Sequence, residues 1–316
     1  MQLPDFSLLQ ALGDWLRALA GTLTDPVSPF WWPSLVVAAI GGAVLAALAG
    51  LRLGDLRRHF VPERRRAYLR ELPIDLACWL AGTTLPFLLG PLLLLLNWFG
   101  LVLGQLAMAP VFGLPAGDAP APGLGMLALA ALLAFVGGDF MLYWTHRLFH
   151  RVPLLWRAHR LHHAPEVLTP LTAFRFWPQE NAVHLSGNMF GQGVGIGLCM
   201  AVAGTQVPAL TLLGVNAAAM IWGMAFAHLR HSHVPLGFPR ALSYVLVSPH
   251  MHQAHHSADV AHHDRNFATA LALWDWIFGT LYIPRREERF RFGLGEEVPP
   301  VVAATVPRNA ASARPG

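Results

Sequence analysis

Long apolar runs constrain this chain more than any other feature, because about twenty residues without charge have few stable places outside a lipid bilayer. The first run is Ser34 to Leu51, preceded by Trp31-Trp32-Pro33 with its tryptophans at interfacial depth. Ile74 to Ala109 follows, interrupted by Pro86, Pro91 and Asn97, and then Gly123 to Tyr143, His184 to Ala203 and Val207 to Ala227. Of the 316 residues, 54% are hydrophobic and only 13% charged, outside the range of soluble domains. Backbone groups in lipid must be bonded within the segment, so the runs read as helices and the fold class as all-α.

Arginine sets the orientation. The chain has no lysine, and its arginines gather between apolar runs, a pattern of membrane topology that speaks against nucleic-acid binding. Residues 52–70 carry the densest set and are expected in the cytoplasm. The loop from Pro110 to Gly123 has no basic residue, whereas His146 to Arg175 carries Arg147, Arg151, Arg157, Arg160 and Arg175. One net crossing between them satisfies both, with Ile74 to Leu96 as the span and Asn97-Trp98 at the far interface. Only Gly-Thr-Gln separates the last two runs, which predicts a hairpin. The expectation is an integral membrane helical bundle of about five spans with a cytoplasmic histidine-rich helical cap. Residues 6–20 read as an interfacial helix, the N-terminus lacks a cleavable secretory signal, and residues 296–316 read as a disordered tail. Cys78 and Cys199 lie in separate apolar runs and predict no disulfide.

Every histidine except His59 falls between His146 and Asn266. The clusters are His146 with His150, His159 with His162 and His163, His228 with His231 and His233, and His252 with His255 and His256, trailed by His262 and His263. Residues three or four apart share a helix face, so each cluster is expected to present two or three imidazoles to one point. Neutral imidazole suits iron, zinc, copper and nickel rather than magnesium or calcium. Eight or more histidines exceed what one ion uses, which predicts a dinuclear site. In the third cluster His231 is the preferred ligand, followed by His233; His262 and His263 stay open between ligand, supporting group and neither. His59 and His184 read as caps or interfacial side chains. Asp139, Glu180, Asn266 and Asp275 are the candidates to support the ligands, since a coordinating imidazole donates its second N–H to an acceptor. Asp139 stands out as an acid near the end of an apolar span.

With HxxxH, two HxxHH motifs, HSHVPL, SPHMHQAHHS, RNF and LWDWIFGTLY, the stretch from Asp139 to Tyr282 resembles the fatty acid hydroxylase/sterol desaturase superfamily, in particular its bacterial sterol-desaturase-like members. The resemblance implies a di-iron centre that activates O2 to hydroxylate a lipid C–H bond or to desaturate a sterol, fatty acyl or other isoprenoid lipid. By motif position it implies His146, His150, His159, His162, His163, His231, His252, His255 and His256 as ligands. Residues 111–295 then form the catalytic domain, behind an N-terminal region of two spans in residues 1–110, in a bacterial inner membrane. Two positions depart from the pattern: Trp177 stands where the related stretch reads histidine, and Ala268 where it reads glycine. The chain shows no dinucleotide-binding glycine fingerprint and no cysteine set for an iron–sulfur cluster, so a separate electron-donor protein is expected. A metal transporter would place its ionisable ligands within the spans, and a zinc-dependent membrane hydrolase would show HExxH; this chain does neither.

Overall fold

The computed structural model describes residues 13–14, 16–17, 20–21, 24, 32–48, 50, 62–115, 122–204 and 228–295. Among these residues the regular structure is all helical, with a single isolated bridge between Leu246 and Leu271 in place of any strand. The longer helices are α1 (Trp32–Leu48), α2 (Pro62–Phe112), α3 (Leu124–Arg151), α4 (Pro153–His163) and α5 (Pro178–Ala203). Three short ones follow: α6 (His228–Arg230), α7 (Pro249–His255) and α8 (Leu273–Ile277).

Among the described residues three stretches are long and apolar enough to cross a membrane: Leu88–Phe112 within α2, then α3 and α5. Helix α1 has 17 residues, short of the ~20 that a perpendicular crossing needs. The expected fifth span, the interfacial helix over most of its length, and the tail lie outside the described residues.

Helix α2 corrects one sequence expectation. Its 51 residues run without a break through Asn97, and its membrane-length stretch is Leu88–Phe112 where Ile74 to Leu96 was expected, which puts Asn97 inside that stretch. The Asn97 amide instead donates to the Met189 carbonyl of α5 at 2.9 Å, so the neighbouring backbone satisfies a polar group inside the bundle. Four internal prolines, Pro73, Pro86, Pro91 and Pro110, are accommodated in the same helix.

The bundle is built around α5, which packs against both α2 and α3. Glycine makes this possible. Gly193 and Gly197 lie against the Asn97 and Leu101 carbonyls of α2, while Gly191 and Gly195 lie against the Gly137 and Leu133 carbonyls of α3. Residues four apart share a face, so the run from Gly191 to Gly197 supplies two flat stripes in turn, one for each neighbour. A β-carbon at any of the four would collide with the facing backbone. Outward, Leu88, Leu95, Trp98 and Leu124 are exposed, as a lipid-facing surface requires.

Beyond the spans the chain folds back on the end of α3. Pro153 holds Val152 extended and ends α3, so α4 leaves at a corner. Tyr143 of α3 is fully buried with Val247, Met251, Phe267, Ala268 and Ala272, which pins the C-terminal segment against it. Arg175 is buried between Glu71 (2.6 Å) and Asp75 (3.2 Å) of α2 and fixes the approach to α5.

Candidate metal centre

The described histidines form two compact groups. His146 and His150 of α3, His159 and His163 of α4 and His255 of α7 make the first; His162 of α4, His231, and His252 and His256 at the end of α7 make the second. Within each group one ring nitrogen per residue lies within 4.8 Å of the others. Each HxxHH motif therefore divides between the groups, where the sequence led us to expect one point per cluster. Neighbouring residues on a helix diverge by about 100°, while those three or four apart converge. His159 and His163 turn one way and His162 the other; His252 and His256 pair, and His255 crosses to the first group.

The spacings fit metal ions. His159 Nε2 lies 3.2 Å from His146 Nε2 and 3.1 Å from His163 Nε2. In the second group His231 Nε2 lies 3.2 Å from His162 Nε2 and 2.9 Å from His252 Nε2, which lies 3.1 Å from His256 Nε2. Nitrogens bound at ~2.0–2.1 Å and subtending 90–109° at an ion sit about 2.9–3.4 Å apart. His150 Nε2 and His255 Nε2 are buried without a hydrogen-bond partner, as ligand atoms are before an ion is present.

Burial and the neighbouring rings push His162, His163, His231, His252 and His256 well below the usual imidazole range. Burial takes His255 down to about 3. Burial also lowers His159, against the opposing pull of Glu180. These rings are neutral at pH 7, the form that coordinates metal.

The outer partners separate the groups. His146 Nδ1 donates to the Phe267 carbonyl at 2.7 Å, His255 Nδ1 to the Arg265 carbonyl at 2.8 Å, and His159 Nδ1 to Glu180 Oε1. Each bond fixes the tautomer and turns Nε2 into the group. The Nδ1 atoms of His162, His231, His252 and His256 have no such partner among the described residues.

Of the four candidate supporting residues, only Glu180 touches a clustered histidine. The other three act one step further out, on the segment that carries the two carbonyls. Asp139 accepts from Ala270 N, Leu271 N and Trp274 Nε1 at 2.9, 2.9 and 3.0 Å. Asp275 accepts from Phe267 N, Ala268 N and the Thr280 hydroxyl, and burial still pushes its carboxyl up to about 6. Asn266, at φ +54°, donates to the Met251 and Tyr282 carbonyls and accepts from Tyr282 N.

His233 and His228 lie in neither group. His262 bonds Ser257 and Glu288, and His263 lies outside both groups. Trp177 precedes α5 as its N-cap and is 47% exposed, away from the rings. His184 is the residue that sequence reasoning passed over. It lies 2.9 Å from the Thr145 hydroxyl and 3.7 Å from Glu180, and His159, Glu180 and His184 form a third set with metal-ligand spacing. The signal was present: Glu180 and His184 stand four apart at the start of a helix.

A cavity of about 270 Å³ opens beside both groups, reached by His146 from the first and His162 and His252 from the second. Leu142, Phe176 and Leu185 give it apolar walls, and Asn181, His184, Asn188, Arg230 and Thr269 its polar ones.

Residues 131–280 match the model of the fatty acid hydroxylase family. An ornithine lipid hydroxylase of Rhizobium tropici is 30% identical over 176 residues, 54% of this chain and 47% of that protein. The alkylglycerol monooxygenase of Homo sapiens is 29% identical over 161 residues, 51% of this chain and 32% of that protein. A very-long-chain aldehyde decarbonylase of Oryza sativa subsp. japonica is 31% identical over 187 residues, 56% of this chain and 27% of that protein. The chain thus spans less than half the length of each of these relatives. No solved structure matches it.

Proposed function

We propose that the protein, whose residues 131–280 match the model of the fatty acid hydroxylase family, is a membrane-bound oxygenase that hydroxylates a lipid C–H bond at a centre of two iron ions. The observation that carries this reading is the pair of converging imidazole groups beside one cavity, at the end of membrane-length helices. Iron held there would supply the activation of O2 that attack on an unactivated C–H bond requires, with electrons drawn from a separate donor protein.

The chain's own work is to hold, orient and exclude. Nine histidines are the ligands: His146, His150, His159, His163 and His255 for one ion, and His162, His231, His252 and His256 for the other. Glu180 keeps the proton of His159 on Nδ1, and the Phe267 and Arg265 carbonyls do the same for His146 and His255. Asp139, Asp275 and Asn266 brace the segment that bears those carbonyls. A lipid enters from the bilayer along α3 and α5, whose Leu142 and Leu185 line the cavity and keep water from the reacting carbon. Desaturation is the alternative outcome at the same centre, with a second hydrogen removed in place of oxygen insertion.

The names of two relatives, a hydroxylase and a monooxygenase, support oxygen insertion. The arginine distribution supports a cytoplasmic cap, and a bacterial inner membrane is the proposed setting. Residues 111–295 are proposed as the catalytic unit. The test is incubation of the purified, iron-loaded protein with bilayer lipids, a reducing system and ¹⁸O2. Hydroxylation predicts one ¹⁸O atom in the lipid product, and desaturation a new double bond with none. Lipids left unchanged by iron-loaded, reduced protein would refute both.

A further inference from the structure

Arg230 is placed as no charge in a membrane protein's interior is left without reason. It lines the cavity, and among the described residues its one hydrogen bond runs from Nη1 to the Thr269 carbonyl at 3.1 Å. Its Nε is buried with no partner, and it makes no ion pair among the described residues. Asp139 is the carboxylate that acts on it electrostatically, but both Asp139 oxygens are already taken by backbone and indole N–H groups. A guanidinium carries five N–H donors, and most of them remain to be used.

Helix α5 lines the same cavity with Asn181, His184, Leu185 and Asn188. Their spacing of three, four and seven is one helical face, so a membrane-length helix turns a largely polar stripe inward. Among the described residues no carboxylate lines the cavity. Its volume of about 270 Å³ falls below the ~300–1,000 Å³ of pockets that enclose a whole small ligand, so it holds one end of a lipid.

We propose that this cavity is a head-group subsite in which Arg230, lining it together with the Asn181 and Asn188 amides, binds an anionic oxygen of the lipid, either a carboxylate or a phosphate. Guanidinium pairs with both in a forked geometry that a neutral hydroxyl cannot match. His146, His162 and His252 line the same cavity, so the carbon presented to the metal centre lies close to the acidic group. The substrate class is an acidic lipid oxidised near its head. This deepens the oxygenase reading and rests on it for the word oxidised, though not for the binding.

The experiment measures binding of palmitate, hexadecyl phosphate and hexadecanol to the full-length protein in a neutral maltoside detergent, with the iron content of each preparation determined alongside. Wild type is expected to bind at least one acid about tenfold or more tightly than the alcohol. Preference for palmitate alone identifies carboxylate lipids, and for hexadecyl phosphate alone phosphate lipids. Arg230→Gln is expected to bring the acids down to the affinity of the alcohol while leaving the alcohol within about twofold, and Arg230→Lys to keep part of the preference. Equal binding of acid and alcohol by wild type, or a preference that survives in Arg230→Gln, would overturn the proposal. Iron-loaded protein without head-group preference leaves the oxygenase reading standing and removes this one. Protein that takes up no iron yet discriminates through Arg230 does the reverse.

Discussion

Asp139→Asn tests whether the acid buried in α3 is a clamp or a participant in chemistry. The substitution keeps Oδ1, which accepts from Ala270 N, and turns Oδ2 into an amide NH2 facing two donors, Leu271 N and Trp274 Nε1. Two charge-assisted bonds at ~1.5–3 kcal/mol each are lost, and two donors are left unpaired in a site only 3% exposed. The net cost is roughly 3–5 kcal/mol, which corresponds to a fall of roughly 10 °C or more in the melting temperature. Loosening residues 270–274 also frees the Phe267 carbonyl that orients His146, so metal should leave the first group as the protein loosens. Thermal unfolding in detergent, followed by tryptophan fluorescence, reads the first effect, and metal analysis before and after heating the second. An Asp139→Asn protein that melts with wild type, keeps its metal and is nevertheless inactive would refute the clamp and make Asp139 a reacting group.

Other consequences follow from the same contacts. Glu180→Gln keeps an acceptor for His159 but removes its charge, so a chelator competition should show about ten- to hundredfold weaker metal binding in the first group alone; equal weakening in both would contradict the assignment. Acid should destabilise the folded protein. The buried imidazoles have folded pKa values below their unfolded ~6.5, His255 at about 3, so unfolding takes up protons and stability falls as pH drops from 6.5 towards 3. An unfolding midpoint indifferent to pH over that range would disprove it. Gly193→Leu places a side chain on the Asn97 carbonyl and should separate α2 from α5 at a cost above the ~1–3 kcal/mol of ordinary overpacking, seen as loss of the monodisperse peak in size-exclusion chromatography.

The apolar runs made the helical membrane bundle legible, because period and length are local properties of a sequence. The histidine spacing likewise made legible that the imidazoles gather in groups with metal-ligand spacing. Partners distant in the chain were not. Nothing near Asp139 announces that its oxygens meet residues 131 and 132 positions later, so the sequence offered an intramembrane acid as a ligand support and could not show the backbone N–H groups it accepts from. Dividing HxxHH between two groups needs the third direction, which His255 takes from α7 and His162 from α4. Asn97 read as an interface because a polar amide usually sits there; its acceptor, the Met189 carbonyl, belongs to a helix 92 residues on. The alternating glycines of α5 and the Glu180–His184 pair were visible in the sequence, but their meaning came only with the helices that face them.

Metal content tests the central claim most directly. His255 belongs to the first group and His256 to the second, so the His255→Ala, His256→Ala double variant opens both at once. Elemental analysis of detergent-purified protein is predicted to find about two irons per chain in wild type, and in the double variant a loss from both sites. Well-folded wild-type protein that takes up no metal after iron reconstitution, or a double variant that keeps its full complement, would contradict the dinuclear centre.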